Sequence, residues 1–209
     1  MNYDLQEGRQ KLVRLYRFLQ PLLYANMAGT ALFLLLELVE LSGIYDPYNV
    51  GSEGALYSIV SFGVAVTVLN IVTIIIFAMW IYRAAANIYE ADIPGFEYTP
   101  GWCVGWYFIP IANLFMPFQA MRQIWNASHG NFNDLKENSN ILIWWWITWI
   151  VGGIANQIAF RLSEGSSTAL TFGVAGSAIT IACHVLAIQL TRSITRSQTE
   201  TEHLSAIFE

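Results

Sequence analysis

Charged side chains make up only 12% of these 209 residues, about half of the ~25% found in an ordinary soluble domain. Basic residues are the scarcer kind, ten against fifteen acidic ones, for a formal net charge of −5. A nucleic-acid partner is therefore not expected, because phosphate neutralisation needs a basic stripe that this chain lacks. There are two cysteines, Cys103 and Cys183, both inside apolar stretches. They form neither a disulfide framework nor a CxxC metal pair, and each reads as a small hydrophobe. Of the three histidines, His129 and His203 fall in polar segments and His184 alone in an apolar one. A haem held by two histidines of this chain is thereby disfavoured. No serine-hydrolase or phosphatase motif, nucleotide loop or metal-ligand spacing is present. No catalytic residue, metal or cofactor is expected, and the chain reads as a non-enzyme. The first twenty residues are too polar for a cleavable signal, and no small-residue cleavage site follows them.

What the sequence has instead is length without charge. Ala55–Tyr82 runs 28 residues uncharged, about 42 Å as a helix against a ~30 Å hydrocarbon core. Leu22–Ile44 is apolar apart from Asn26, Glu37 and Glu40, Asn140–Phe160 and Gly165–Thr191 are uncharged, and Tyr98–Met121 is uncharged but interrupted by Pro110 and Pro117. A helix interior loses a donor and gains a clash at each such proline. Thr99-Pro100 has the form of an N-cap followed by proline at the first helical position. Sheets are excluded because open edges cannot be satisfied in lipid. The fold class is all-α, a polytopic membrane helix bundle.

Basic residues orient the chain. With five crossings and an inside N-terminus, Arg9, Lys11, Arg14, Arg17, Arg83 and Arg161 lie inside, and Arg122, Lys136, Arg192 and Arg196 outside. If Tyr98–Met121 enters and leaves on one side, every basic residue except Arg161 lies inside. Basic residues favour the cytoplasmic side, so the expectation is four spans (about 22–44, 55–82, 140–160 and 165–191), a broken or re-entrant segment over 98–125, and both termini in the bacterial cytoplasm. Residues 21–196 form the membrane domain and 197–209 a polar tail. In residues 1–20, Leu12, Leu15, Tyr16 and Leu19 share one helical face opposite Arg9, Lys11, Arg14 and Arg17. That pattern reads as an amphipathic helix in the membrane interface, or as an extension of the first span. Ala169, Gly173 and Ser177 give the last span a small-residue face for close approach, and Trp144, Trp145, Trp146 and Trp149 resemble an aromatic belt.

The run from Tyr98 to Ser128, YTPGWCVGWYFIPIANLFMPFQAMRQIWNAS, resembles the signature of a bacterial membrane family catalogued as domain of unknown function 4328. Pro100, Gly101, Trp102, Gly105, Trp106, Pro110 and Pro117 carry the motif, and Trp80, Arg83 and Asn87 match the pattern that precedes it. The resemblance covers roughly residues 55–196. Phe115 and Met116 stand where a basic residue is common, and the stretch Arg83–Asn87 lacks a histidine that many members carry. The resemblance implies the fold and no activity.

Arg83, Asn87, Asn113, Gln119, Arg122 and His184 fall in the cytoplasmic half of this topology and could line a polar vestibule for an anionic group, such as a lipid phosphate or a carboxylate. The alternative is that the arginines snorkel to headgroups while the amides hold helices together. In the outer half, Glu37 and Glu40 share a face, and Arg161 is the expected partner for a structural ion pair. Function then reads as a binding or accessory bundle (scaffold, or lipid- or small-ligand-binding). A transporter or channel component acting as an oligomer is the alternative, and a membrane enzyme or haem-associated subunit comes third. The lipid bilayer, an anionic lipid, and a second copy or another membrane protein are the expected partners.

Overall fold

The computed structural model describes residues 3–44, 53–162 and 166–200. All regular structure among them is helical: α1 (Tyr3–Leu41), α2 (Glu53–Glu90), α3 (Pro100–Gly105), two 3₁₀ turns (Trp106–Phe108 and Ala112–Leu114), α4 (Met116–Ser128), α5 (Asn140–Arg161) and α6 (Ser167–Glu200). Four helices, α1, α2, α5 and α6, are long and apolar enough to cross a membrane. The Tyr98–Met121 stretch is not among them, as its prolines require.

α1 is continuous through Pro21, so residues 1–20 do not form a helix separate from the first span. The leucine face foreseen there is used in packing, with Leu12 and Leu19 fully buried. Likewise α6 runs to Glu200, carrying helix into the expected tail.

The chain divides into two compact units. One gathers Leu22–Thr73 and Trp144–Ala187. Its helices meet through small residues and side-chain hydrogen bonds, one of them buried. Asn26 Nδ2 donates to Thr73 Oγ1 at 2.6 Å, and a Cβ on Gly29 would stand 3.1 Å from Val66. Asn156 Nδ2 donates to Thr180 Oγ1 at 3.2 Å, close against Gly176. Outward, Val60, Val64, Val68 and Ile71 are each more than half exposed. Such a stripe faces the solvent of the molecule, and that solvent is lipid. Of the tryptophan run, Trp144 and Trp149 stay exposed while Trp145 and Trp146 are buried, so half of it packs protein.

The other unit gathers the residues up to Pro21, Ile74–Ile143, and those from Ile188 onward. Its core is built on Leu12, Leu19, Trp80, Ile88, Met121, Ile124, Leu142, Leu190 and Ile194. Each such side chain contributes roughly 1.5–3 kcal/mol by leaving water. Trp80 is fully buried and donates from Nε1 to Thr195 Oγ1 at 3.0 Å, as a buried indole must to avoid an orphaned donor.

Candidate functional site

The second unit holds Arg83, Asn87, Asn113, Gln119 and Arg122, on α2, on α4 and in the segment between them, while Glu37, Glu40, Arg161 and His184 belong to the first. Arg83 leaves α2 one turn before Asn87. Its Nε donates to Asn87 Oδ1 at 2.8 Å and its Nη2 to Glu90 Oε2 at 2.6 Å. Asn87 Nδ2 passes the chain of bonds to Gln198 Oε1 at 2.9 Å. Gln198 Nε2 in turn donates to Ser128 Oγ at 2.9 Å and to the Ala84 carbonyl at 3.1 Å. Gly8 on α1 lies against this group, where a Cβ would come 2.8 Å from Arg83 Nη2. Arg83 is therefore held by side chains of its own helix, Asn87 and Glu90.

Arg122 is placed differently. Nη1 donates to Asn138 Oδ1 at 2.9 Å, and the guanidinium lies 5.7 Å from the Phe118 ring centre. Its Nε is buried with no hydrogen-bond partner among the described residues. Leaving such a donor unmet costs about 1–3 kcal/mol, more for a charged group. Gln119, one turn earlier, accepts from the Tyr98 hydroxyl at 3.4 Å. Asn113 sits on the second 3₁₀ turn, its backbone N–H donating to the Ile109 carbonyl at 2.9 Å.

Around α4 a second polar group fixes the flanking loops. Gln123 accepts from the Glu97 backbone at 2.9 Å and donates to Glu97 Oε2 at 3.0 Å. Lys136 Nζ reaches Glu97 Oε1 at 2.6 Å. Bonds from Lys136 and then Gln123 hold the Glu97 carboxyl below its ordinary range. Asn126 Nδ2 serves the carbonyls of Arg122, Leu135 and Glu137 at 2.9–3.1 Å. Burial drives the Cys103 thiol up to about 12, so it carries no thiolate for nucleophilic chemistry.

Between the two polar groups the helix breaks as its prolines foretold. Thr99 is the N-cap of α3 with Pro100 following, its carbonyl accepting from Trp102 and Cys103. Pro117 opens α4. Trp102 and Trp106 lie with ring centres 4.7 Å apart.

His184 belongs to the other unit, where its Nδ1 donates to the Thr180 carbonyl at 2.9 Å. Glu37 accepts from Ser177 Oγ at 2.8 Å, seated against Gly173. Arg161 is exposed, and the ion pairs among the described residues do not include it. Four residues central to the polar groups were missed: Glu97, Gln123, Ser128 and Gln198. The spacing of Leu190, Ile194 and Gln198, all fully buried, is the helical signal that would have carried Gln198 out of the tail.

These features define a polytopic α-helical membrane protein with a polar network beside a broken helical segment. The chain belongs to the family described as Domain of unknown function (DUF4328), whose model matches residues 52–196. No curated protein and no solved structure matches it.

Proposed function

We propose that this protein is a non-enzymatic binding or accessory bundle of a bacterial inner membrane, with both termini cytoplasmic and residues 98–125 returning to the side they start from. Its ligand chemistry is an anionic oxygen group, phosphate or carboxylate, taken up at Arg122. The observation that carries this reading is the contrast between two arginines. Arg83 is committed to Asn87 and Glu90, whereas Arg122 keeps a buried Nε without a partner. A guanidinium offers a planar fork to an anion, and Phe118 steadies it from one face.

Native mass spectrometry of the protein released with its own membrane lipid tests this, with Arg122→Gln and Arg83→Gln compared. We expect bound anionic lipid to be lost several-fold more from the Arg122 variant. If washing with inorganic phosphate displaces the bound mass, the site takes a free anion; if only competing anionic lipid does, it takes a headgroup. Equal retention in both variants rejects the site.

A transporter or channel component is the second reading, favoured by the discontinuity between α3 and α4, since broken helices accompany ion and substrate paths. Solute flux through liposomes containing the pure protein would select it.

A further inference from the structure

We infer that the turn between α3 and α4 is a shallow membrane wedge, seated by Phe108, Ile111, Leu114 and Phe115 in the boundary between headgroups and acyl chains. This stands whether or not Arg122 holds an anion.

Four observations converge. First, the segment is apolar and outward-facing. Phe108 is 77% exposed, Ile111 75%, Leu114 52% and Phe115 48%, and no charge occurs anywhere in Tyr98–Met121. The same unit includes the exposed Ile74, Ile75 and Met79 of the spanning helix α2, so a bilayer already borders it.

Second, most backbone donors of the turn are met within it. The N–H groups of Ile109, Ala112, Asn113, Leu114 and Phe115 all donate to carbonyls of residues 106–112, and Pro110 and Pro117 have no N–H to satisfy. Such internal pairing fits a segment that enters a low-dielectric layer, where each unmet group costs several kcal/mol.

Third, the apex is strained. Ile111 has φ 69° and ψ −52°, and Ala112 N donates to the Pro110 carbonyl across it at 2.8 Å. This is the rare form of γ-turn, held by a β-branched residue for which positive φ is an outlier. Such geometry costs on the order of 1–3 kcal/mol and persists where surroundings over-determine it. Here it aims an isoleucine outward.

Fourth, the arms are too short or too polar for deep entry. α3 has six residues, a rise of about 9 Å against the ~15 Å from surface to midplane of a ~30 Å core. α4 is followed by the charged stretch from Asp134 to Glu137, and charges are costly at bilayer depth. The aromatic pair Trp102 and Trp106 suits the interface, where amphipathic rings collect.

The test uses the unaltered protein in liposomes with photoactivatable lipids, carrying a diazirine either near the headgroup or at the acyl terminus. We expect the headgroup-side probe to mark Phe108–Phe115 several-fold above the exposed polar loop at Asn133 and Asp134, and the terminal probe to leave it unmarked. Marking by the terminal probe would mean the segment reaches the bilayer centre, and no marking by either would mean the surface meets water or protein. Either result overturns the wedge.

Discussion

Asn87 on α2 and Gln198 on α6 meet amide to amide, Nδ2 donating to Oε1 at 2.9 Å, with 111 positions of sequence between them. The bond is buried, and Gln198, the acceptor in it, donates from Nε2 to Ser128 and Ala84. One side chain thus ties three helices.

Replacing Gln198 with Met should preserve length while deleting every one of those bonds. Each group left unmet in a buried site costs about 1–3 kcal/mol, so a clear drop in melting temperature is expected in lipid nanodiscs. An unchanged melt would show that the network contributes nothing to stability.

Gly8→Ala and Gly101→Ala should separate sharply. At Gly8 a Cβ meets Arg83 and Asn87, while at Gly101 nothing lies within 4 Å. Overpacking the first should cost about 1–3 kcal/mol, whereas alanine at the second should gain up to about 1 kcal/mol by restricting the unfolded chain. Matching melts for the two variants would contradict the contact.

Acid should loosen the clasp on Glu97. Its carboxyl sits below the ordinary 4.5 because Lys136 and Gln123 bond its charged form. A lowered folded-state value means the stabilisation is present above 4.5 and is lost as pH falls through the folded value. The pair is exposed, so the effect stays under about 1 kcal/mol. It is best read as faster proteolysis of the loop between Asn131 and Asn138 below pH 4.5, an acceleration that Glu97→Gln should show already at neutral pH.

Sidedness can be read with single cysteines at Gln10, Ser42 and Asn133, all exposed, in a background lacking Cys103 and Cys183. Gln10 and Asn133 should label from the cytoplasm and Ser42 from outside. Labelling of Asn133 from the same face as Ser42 would mean that the α3–α4 segment crosses, refuting its return.

The four spans were legible because an apolar run of bilayer length has few other uses, and the break at Pro110 and Pro117 because proline acts locally. Partnerships across helices were not. Nothing in the neighbourhood of Arg83 announces Glu90 rather than a headgroup, since both satisfy a guanidinium equally well on paper. Gln198 looked like tail because polarity was read without its helical phase, although Leu190 and Ile194 point the same way. The Ser177 hydroxyl that meets the Glu37 carboxylate was no easier to foresee, because a serine on a small-residue face reads as space for close approach. The strained turn at Ile111 was invisible, because no residue preference favours isoleucine there.

The seat of Glu37 bears on how this protein can assemble. Small residues along α6 would ordinarily let another transmembrane helix approach closely, which is how many membrane dimers form. In this chain Gly173 and Ser177 already receive the Glu37 carboxylate of α1. The groove is filled from within, so a second copy cannot nest there without first displacing a hydrogen-bonded acid. The small-residue face of α6 is thus spent on holding this chain's own first helix.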